Sequence, residues 1–395
     1  MECGIQAANG IRERLGRMRF LYVAPRYHTN QVPIMKGLIA QGHAVCFLSH
    51  YAGKIEDYSC LTPEVVGYSR IYKAIDYLYV KLLHKNAPKA ADKKLLWGFP
   101  PVFLLGRKIK NFRPDIAVIR ERSVYSMVTY LVCRHYHIPT ILYNQSPLWV
   151  EEKNDLPHRI VRGLTPKVRM TPVMGSSGPG LIREENAFFV PFVMEAKLSP
   201  EYKNYCQDDI LHIFAVVKYE KRKNILMLAE VVNELAKKYS VHLTVAGECS
   251  TEFHKKYYRD VKEYIENNLL QDKIVLLKNL TREEMDREYT KADLFVIPST
   301  LEPASISQLE AMAFSVPVIC SDTNGSECYV REGHNGFQFR DNNREALQNA
   351  IEQFLKEPDM VQEMGSKSYL DVVNQYQFKN YYEGIEECMR ALEDL

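Results

Sequence analysis

No stretch of this sequence reaches the roughly 18 consecutive apolar residues that a membrane-crossing helix needs. No GxxxxGK[ST] phosphate loop occurs, and the loop after the first apolar run, Pro25 to Pro33, contains no glycine. These absences exclude a spanning helix, a P-loop nucleotidase and a dinucleotide fingerprint at the start of the chain. HExxH, CxxC and Cys/His clusters at metal spacing are missing too. The nine cysteines (3, 46, 60, 133, 206, 249, 320, 328 and 388) are odd in number and widely scattered, which is the usage of free thiols in a reducing compartment. The expectation is a cytoplasmic protein without a caged metal or cofactor. Residues 1–17 lack the apolar core of a secretory signal and are read as an extension outside the fold. The glycine-rich GSSGPG at 175–180 follows no convincing strand and reads as a loop.

At 395 residues, with 46% hydrophobic and 25% charged content, the chain is long enough for two domains with separate cores. The net charge of +2 hides an asymmetry: residues 17–165 carry 22 Lys/Arg against 10 Asp/Glu, and residues 166–395 carry 27 against 37. A basic half attracts an anionic partner, and charge alone does not choose among nucleic acid, membrane and substrate. No nucleic-acid recognition motif is present.

Apolar runs alternate with helical patterns along the chain. MRFLYVA (18–24) reads as a strand, followed by a loop, a helix ended by Gly42 and a second strand, Ala44 to Ser49. IAVI (116–119) and TILYN (140–144) flank a helix from about Tyr125 to Tyr136. After a weakly patterned segment the theme restarts with strands at 211–217, 242–247, 273–277, 293–298 and 316–321. Strands apolar on both faces, linked by helices, imply α/β architecture with parallel sheets. The economical division is an extension (1–17), an N-terminal Rossmann-like domain (18–190), a linker (191–209), a C-terminal Rossmann-like domain (210–375) and a terminal helix (376–395) that can pack back on the first domain.

The chemistry concentrates in LFVIPSTLEPASISQLEAMAFSVPVIC (294–320). Leu294 to Pro298 reads as a strand and Ser299 to Ala304 as its exit loop. Ser305 and Gln308 are spaced as a capping box that opens a helix. Ligands of open parallel sheets sit beyond the carboxyl ends of strands, and free amides at a helix mouth attract phosphate. The backbone at Ala304, Ser305 and Ile306 is therefore an anion or hydroxyl site, flanked by Glu302 and by Glu310 one turn into the helix. A carboxylate beside bound phosphate is repelled, whereas neutral sugar hydroxyls suit it. On spacing alone, the two glutamates read more readily as ordinary surface residues.

These residues resemble a known family. Pro298-Ser299, Glu302, Glu310-Ala311-Met312-Ala313 and Pro317-Val318-Ile319 match the Glu-x7-Glu signature of retaining glycosyltransferases of family 4. That family has the GT-B fold, two doubly wound Rossmann-like domains facing across a cleft. VVKYEKRKN (216–224) is similar to the family's GRLxxxKG, with Lys218 at the arginine position and Lys223 at the lysine, and NGSECYVREGHNGFQF (324–339) is similar to GGxxExVxxGxNGxLF. The resemblance covers 210–340 by motif and the N-terminal half by architecture.

It implies a retaining, metal-independent enzyme that moves a sugar from a nucleotide diphosphate sugar, UDP-linked by expectation, to a saccharide hydroxyl. Glu302 would contact the donor sugar and Glu310 the ribose. Pro303, Ala304, Ser305 and Ile306 would line the donor. Lys218 and Lys223 would neutralise the leaving diphosphate, and Lys278, Asn279 and Leu280 would face the base. Departures concern the acceptor: Tyr27, His28 and Thr29 stand where the family has glycines, and Arg120 and Glu121 where it often has histidine. These five are candidates for the acceptor side or the cleft. Asn324 replaces a glycine, and Cys328 stands where glutamate is common. Lys81, Lys85, Lys89, Lys93 and Lys94, interleaved with Tyr72, Tyr77, Tyr79, Leu82 and Leu83, suit an anionic bilayer or an ordinary solvated helix face. The bilayer reading implies a lipid-linked acceptor in cell-envelope polysaccharide or lipopolysaccharide synthesis, at the inner face of the membrane. A non-catalytic nucleotide-sugar-binding subunit, an epimerase and a phosphorylase share the fold and stay open.

Overall fold

A computed structural model describes residues 16–53, 57–83, 95–120, 123–151 and 161–395. The chain divides into two compact units. The first holds the residues up to Thr171, with Ser177–Val193 and Tyr381–Leu395, and the second holds Pro172–Ser176 and Met194–Asn380. The segment read as a linker thus falls mostly into the second unit. The last helix, Phe378–Glu393, crosses the division, with Tyr381 onward in the first unit.

In the first unit, β1 (Arg19–Ala24), β2 (Ala44–Ser49), β3 (Glu64–Val65), β4 (Ile116–Arg120), β5 (Thr140–Tyr143), β7 (Val168–Thr171) and β9 (Ala187–Phe189) form one parallel sheet in the order β3-β2-β1-β4-β5-β7-β9. Two short strands, β6 (Trp149–Glu151) and β8 (Leu181–Arg183), pair antiparallel beside it. Phe20 to Ala24 are all buried, as a strand covered on both faces requires. The Val32–Ala40 helix stops where Gly42 takes φ +85°, a left-handed turn that glycine enters without a Cβ penalty.

In the second unit, β10 (Leu211–Lys218), β11 (Val241–Glu248), β12 (Ile274–Lys278), β13 (Leu294–Ile297), β14 (Val318–Ser321) and β15 (Gly336–Phe339) form a parallel sheet in the order β12-β11-β10-β13-β14-β15. This is the 3-2-1-4-5-6 order of doubly wound nucleotide-binding sheets, whose ligand crevice opens where the order reverses. Here the reversal lies between β10 and β13, so the segments leaving them, Tyr219 to Asn224 and Pro298 to Ile306, share the crevice. The core beneath joins Ile213, Ala215, Val245 and Val296 of the sheet to Leu228, Val232 and Ile351 of its helices.

Among the described residues no helix is long and apolar enough to cross a membrane, and no group of His, Cys, Asp and Glu could hold a metal ion. Lys85, Lys89, Lys93, Lys94 and Glu121 lie outside the described residues. Lys81 belongs to the Arg70–Leu83 helix, which turns Ile71, Ile75 and Leu78 outward, 69%, 54% and 53% exposed.

Candidate active site

The segment after β10 turns through a short 3-10 helix, Lys221–Lys223, and leaves it at Asn224 in a left-handed conformation, φ 50°. The segment after β13 is tied to it twice: Thr300 N donates to Arg222 O at 2.8 Å, and the Asn224 side-chain amide donates to Thr300 Oγ1 at 2.9 Å. These bonds bring Glu302 over the turn. Its Oε2 accepts from Arg222 Nη1 at 2.8 Å and also from Lys223 Nζ. The Lys223 and Glu302 side chains are only 10% and 11% exposed, and burial pulls the Lys223 ammonium below the ordinary lysine value although Glu302 opposes the shift.

Lys218 does not join this pair. It is more than half exposed, and its Nζ lies 3.5 Å from Glu248 Oε2 at the end of β11. Of the two lysines expected to neutralise the diphosphate, the structure brings Lys223 together with Arg222 on Glu302 and sets Lys218 apart, beside Glu248. The physical reason is the turn, which carries residues 221–223 back toward β13 and leaves Lys218 on the strand beside β11. Arg222 lay unnoticed inside KYEKRKN, where every charged residue looks solvated.

The 302–306 loop is held from below by 324–326. Gly325 N donates to Glu302 O at 2.7 Å, and a Cβ on Gly325 would stand 2.0 Å from Pro303 O. Ser305 N donates to Ser326 Oγ at 2.7 Å, so this one of the three expected donor-facing amides is already engaged within the fold. The helix begins at Ser307, not Ser305: it spans Ser307–Ala313 with Ile306 as an N-cap that makes no side-chain bond. The expected Ser305–Gln308 capping box does not form, because Gln308 turns inward to Ser326 O and accepts from Asn324 Nδ2 at 2.9 Å. Asn324, read as a departure from glycine, is almost fully buried and holds this knot. A Gly325→Ala variant is expected to lose about 1–3 kcal/mol of stability, since the loop under Glu302 must shift to admit the methyl group. Urea unfolding with and without the substitution measures it.

Glu310 sits on the same helix with different partners. Its Oε1 accepts from Arg282 Nη1 at 2.5 Å and its Oε2 from the Tyr289 hydroxyl at 2.9 Å. Burial drives the Tyr289 hydroxyl well above the ordinary tyrosine value, so it stays a donor. Lys278, the last residue of β12, is exposed with its Nζ 4.7 Å from the Tyr258 ring centre. Asn279 takes φ 52° and accepts from Cys249 N at 3.0 Å, and Leu280 is half-buried. The capping box absent at Ser305 appears next, at Thr281 and Glu284, opening the Arg282–Lys291 helix.

In the first unit the candidates separate. Tyr27 is 1% exposed, its hydroxyl 3.4 Å from Cys60 Sγ and its ring edge-on to Phe47. It belongs to the core, which corrects its assignment as a cleft residue. His28 closes a capping box with Gln31, its Nδ1 accepting from Asn30 N at 3.4 Å, and Thr29 Oγ1 lies 3.3 Å from that nitrogen. Arg120, at the carboxyl end of β4, stands with its guanidinium carbon 5.5 Å from the Tyr143 ring centre.

Residues 207–371, less than half of the chain, match the family model described as Glycosyl transferases group 1. An uncharacterized glycosyltransferase of Methanocaldococcus jannaschii is 25% identical over 178 residues, 44% of this chain and 43% of that protein. The chain spans less than half the length of the curated relatives it matches. Among solved structures, a glycosyltransferase from Rickettsia africae superposes with a TM-score of 0.69 at 16% identity, over 95% of this chain and 99% of that one. Anabaena HepE, solved in complex with UDP and glucose, gives 0.67 at 12%, over 95% and 100%. The chain thus has the GT-B fold, two parallel-sheet α/β units, and the segment that matches the glycosyltransferase group 1 model lies in the second of them.

Proposed function

We propose that the chain is a retaining glycosyltransferase of the family 4 type that carries a sugar from a nucleotide diphosphate sugar to a hydroxyl of a saccharide acceptor. The observation that carries this reading is the clamp at the sheet's switch point, where Lys223 and Arg222 converge on Glu302. Breaking a glycosyl–phosphate bond leaves negative charge on the diphosphate, and fixed cations in a partly dry crevice stabilise it most. Lys223 and Arg222 supply that charge, and Lys218, exposed at the end of β10, adds to the positive potential of the crevice. Glu302 accepts hydroxyls of the donor sugar and keeps the cations aligned. Residues 303–306 line the sugar and phosphate, Glu310 takes the ribose, and Lys278, Asn279 and Leu280 face the base. The acceptor hydroxyl attacks on the face the diphosphate leaves, which retains configuration, and the departing phosphate takes the proton. The cations do the work that a metal ion does in other transferases, so transfer is expected to survive saturating EDTA.

The acceptor is a lipid-linked saccharide of cell-envelope polysaccharide or glycolipid synthesis, and the chain works at the inner face of the membrane. The outward stripe of Ile71, Ile75 and Leu78 supports this, since an apolar stripe on a helix of a basic half suits an anionic surface. Among the described acceptor-side candidates of the first unit, Thr29 is exposed and His28 and Arg120 are half-buried, so all three keep accessible surface.

A thermal-shift screen of nucleotide diphosphate sugars, UDP-glucose first, tests the donor. Ligand at 100 times its dissociation constant adds about 2.7 kcal/mol of stability. Donor hydrolysis or transfer by the purified chain, lost in Glu302→Ala, marks an enzyme. Tight donor binding without turnover on any acceptor marks a non-catalytic binding subunit.

A further inference from the structure

Three side chains on one face of the Arg282–Lys291 helix lead to Glu310. Arg282, Asp286 and Tyr289 stand at i, i+4 and i+7, the spacing that stacks side chains along one face. Tyr289 is fully buried among Phe214, Phe295 and Phe314, with ring centres 5.1, 5.8 and 5.5 Å away. Its hydroxyl donates to Glu310 Oε2 at 2.9 Å. Arg282 donates to Oε1 at 2.5 Å, and its Nε lies 2.8 Å from Asp286 Oδ1, an ion pair that steadies the guanidinium from behind.

Each carboxylate oxygen offers two acceptor directions, so a protein donor on each oxygen leaves one direction open on each. A glutamate on a helix ordinarily loses rotamer freedom when it grips a ligand. Here folding has already removed that freedom. The Tyr289 ring cannot turn without repacking three phenylalanines, and the Arg282 charge beside Glu310 also softens repulsion between its carboxylate and a nearby diphosphate.

We propose that Arg282, Asp286 and Tyr289 are positioning residues that fix the Glu310 carboxylate to accept both vicinal hydroxyls of a nucleoside ribose, and that this helix face sets selectivity for ribonucleotides over 2′-deoxyribonucleotides. The proposal rests on the nucleotide-sugar reading above. It assigns the three residues no contact with substrate, since they act through Glu310.

Calorimetric binding of UDP, ADP and GDP, and of their 2′-deoxy counterparts, to the full chain tests it. For the nucleotide that binds, the wild type is expected to prefer the ribo form by about tenfold or more, the worth of a hydrogen bond to a charged acceptor. Tyr289→Phe keeps the ring and deletes only the donor. It is expected to weaken the ribo form several-fold and the 2′-deoxy form, which keeps only its 3′-hydroxyl for Glu310, by less, so that the preference falls toward one. Retained binding of the 2′-deoxy form certifies that the variant is folded. Arg282→Lys should recover part of the preference that Arg282→Met loses. Equal weakening of both forms, or an unchanged preference in Tyr289→Phe and Arg282→Met, overturns the proposal. A wild type that binds nucleotide without ribo preference overturns it while leaving the donor reading intact, and a wild type that binds no nucleotide overturns both.

Discussion

Lys223→Met is expected to lower sugar transfer at least a hundredfold while leaving the fold nearly as stable. Removing one preorganised charge from a developing anion typically costs about 10²–10³ in rate. The methionine fills much of the lysine's volume, and Arg222 still holds Glu302 at 2.8 Å, so no buried carboxylate is stranded. Glu302→Ala behaves differently. It leaves the mostly buried Lys223 ammonium without the carboxylate it bonds, and breaking such a pair from one side costs about 3–5 kcal/mol.

The pH dependence identifies that cost. Burial already holds Lys223 below its ordinary value of 10.5, and losing Glu302 pushes it lower still. A lysine depressed in the fold binds fewer protons there than in the unfolded chain between the two values. Stability in the variant therefore rises with pH across that interval. The deficit of Glu302→Ala relative to wild type should narrow as pH rises from about 7 toward 10, measured by urea unfolding at each pH. A deficit independent of pH sinks the stranded-lysine explanation. A Lys223→Met enzyme with wild-type turnover sinks the leaving-group role.

What could be read from the sequence was what depends on near neighbours. β1, β4 and β13 are nearly continuous apolar runs because both faces are covered, and such runs announce themselves without tertiary knowledge. Gly42 likewise marks its own helix end. What failed to show depends on partners far along the chain. Ser305 and Gln308 carry a genuine capping spacing, but Gln308 is claimed by Asn324 and Ser326, 16 and 18 residues on. Lys218 and Arg222 were indistinguishable as charges in one run, and only the bonds from Thr300 and Asn224 decide which faces Glu302. Tyr27 lies in a loop by pattern and in the core by packing against Phe47 and Tyr58. The face formed by Arg282, Asp286 and Tyr289 was legible as i, i+4, i+7 spacing, yet nothing local says that such a face meets Glu310.

Acid should unfold the first unit early, and His50 should carry much of the effect. His50 follows β2, is 3% exposed and stacks on Tyr125 with ring centres 3.5 Å apart and Tyr68 edge-on at 5.7 Å. Its Nδ1 is buried without a hydrogen-bond partner. Burial pulls its pKa from 6.5 down to about 3, so the ring is neutral throughout the working range of the fold. The unfolded chain takes up the proton near 6.5 and the folded chain only near 3. Between these values the unfolded state binds more protons, and stability falls as pH falls. The full interval is worth roughly 4–5 kcal/mol, of which about 2–3 kcal/mol is already lost at pH 4.5. His50→Phe keeps an aromatic ring against Tyr125 and removes the titration. Its urea-unfolding stability should therefore decline less than the wild type's between about pH 7 and 4.5, by that 2–3 kcal/mol. Parallel declines in the two proteins would show that His50 is not the group the acid attacks. A steeper decline in the variant would show that the imidazole is charged in the fold, contrary to its apolar packing against Tyr125 and Tyr68.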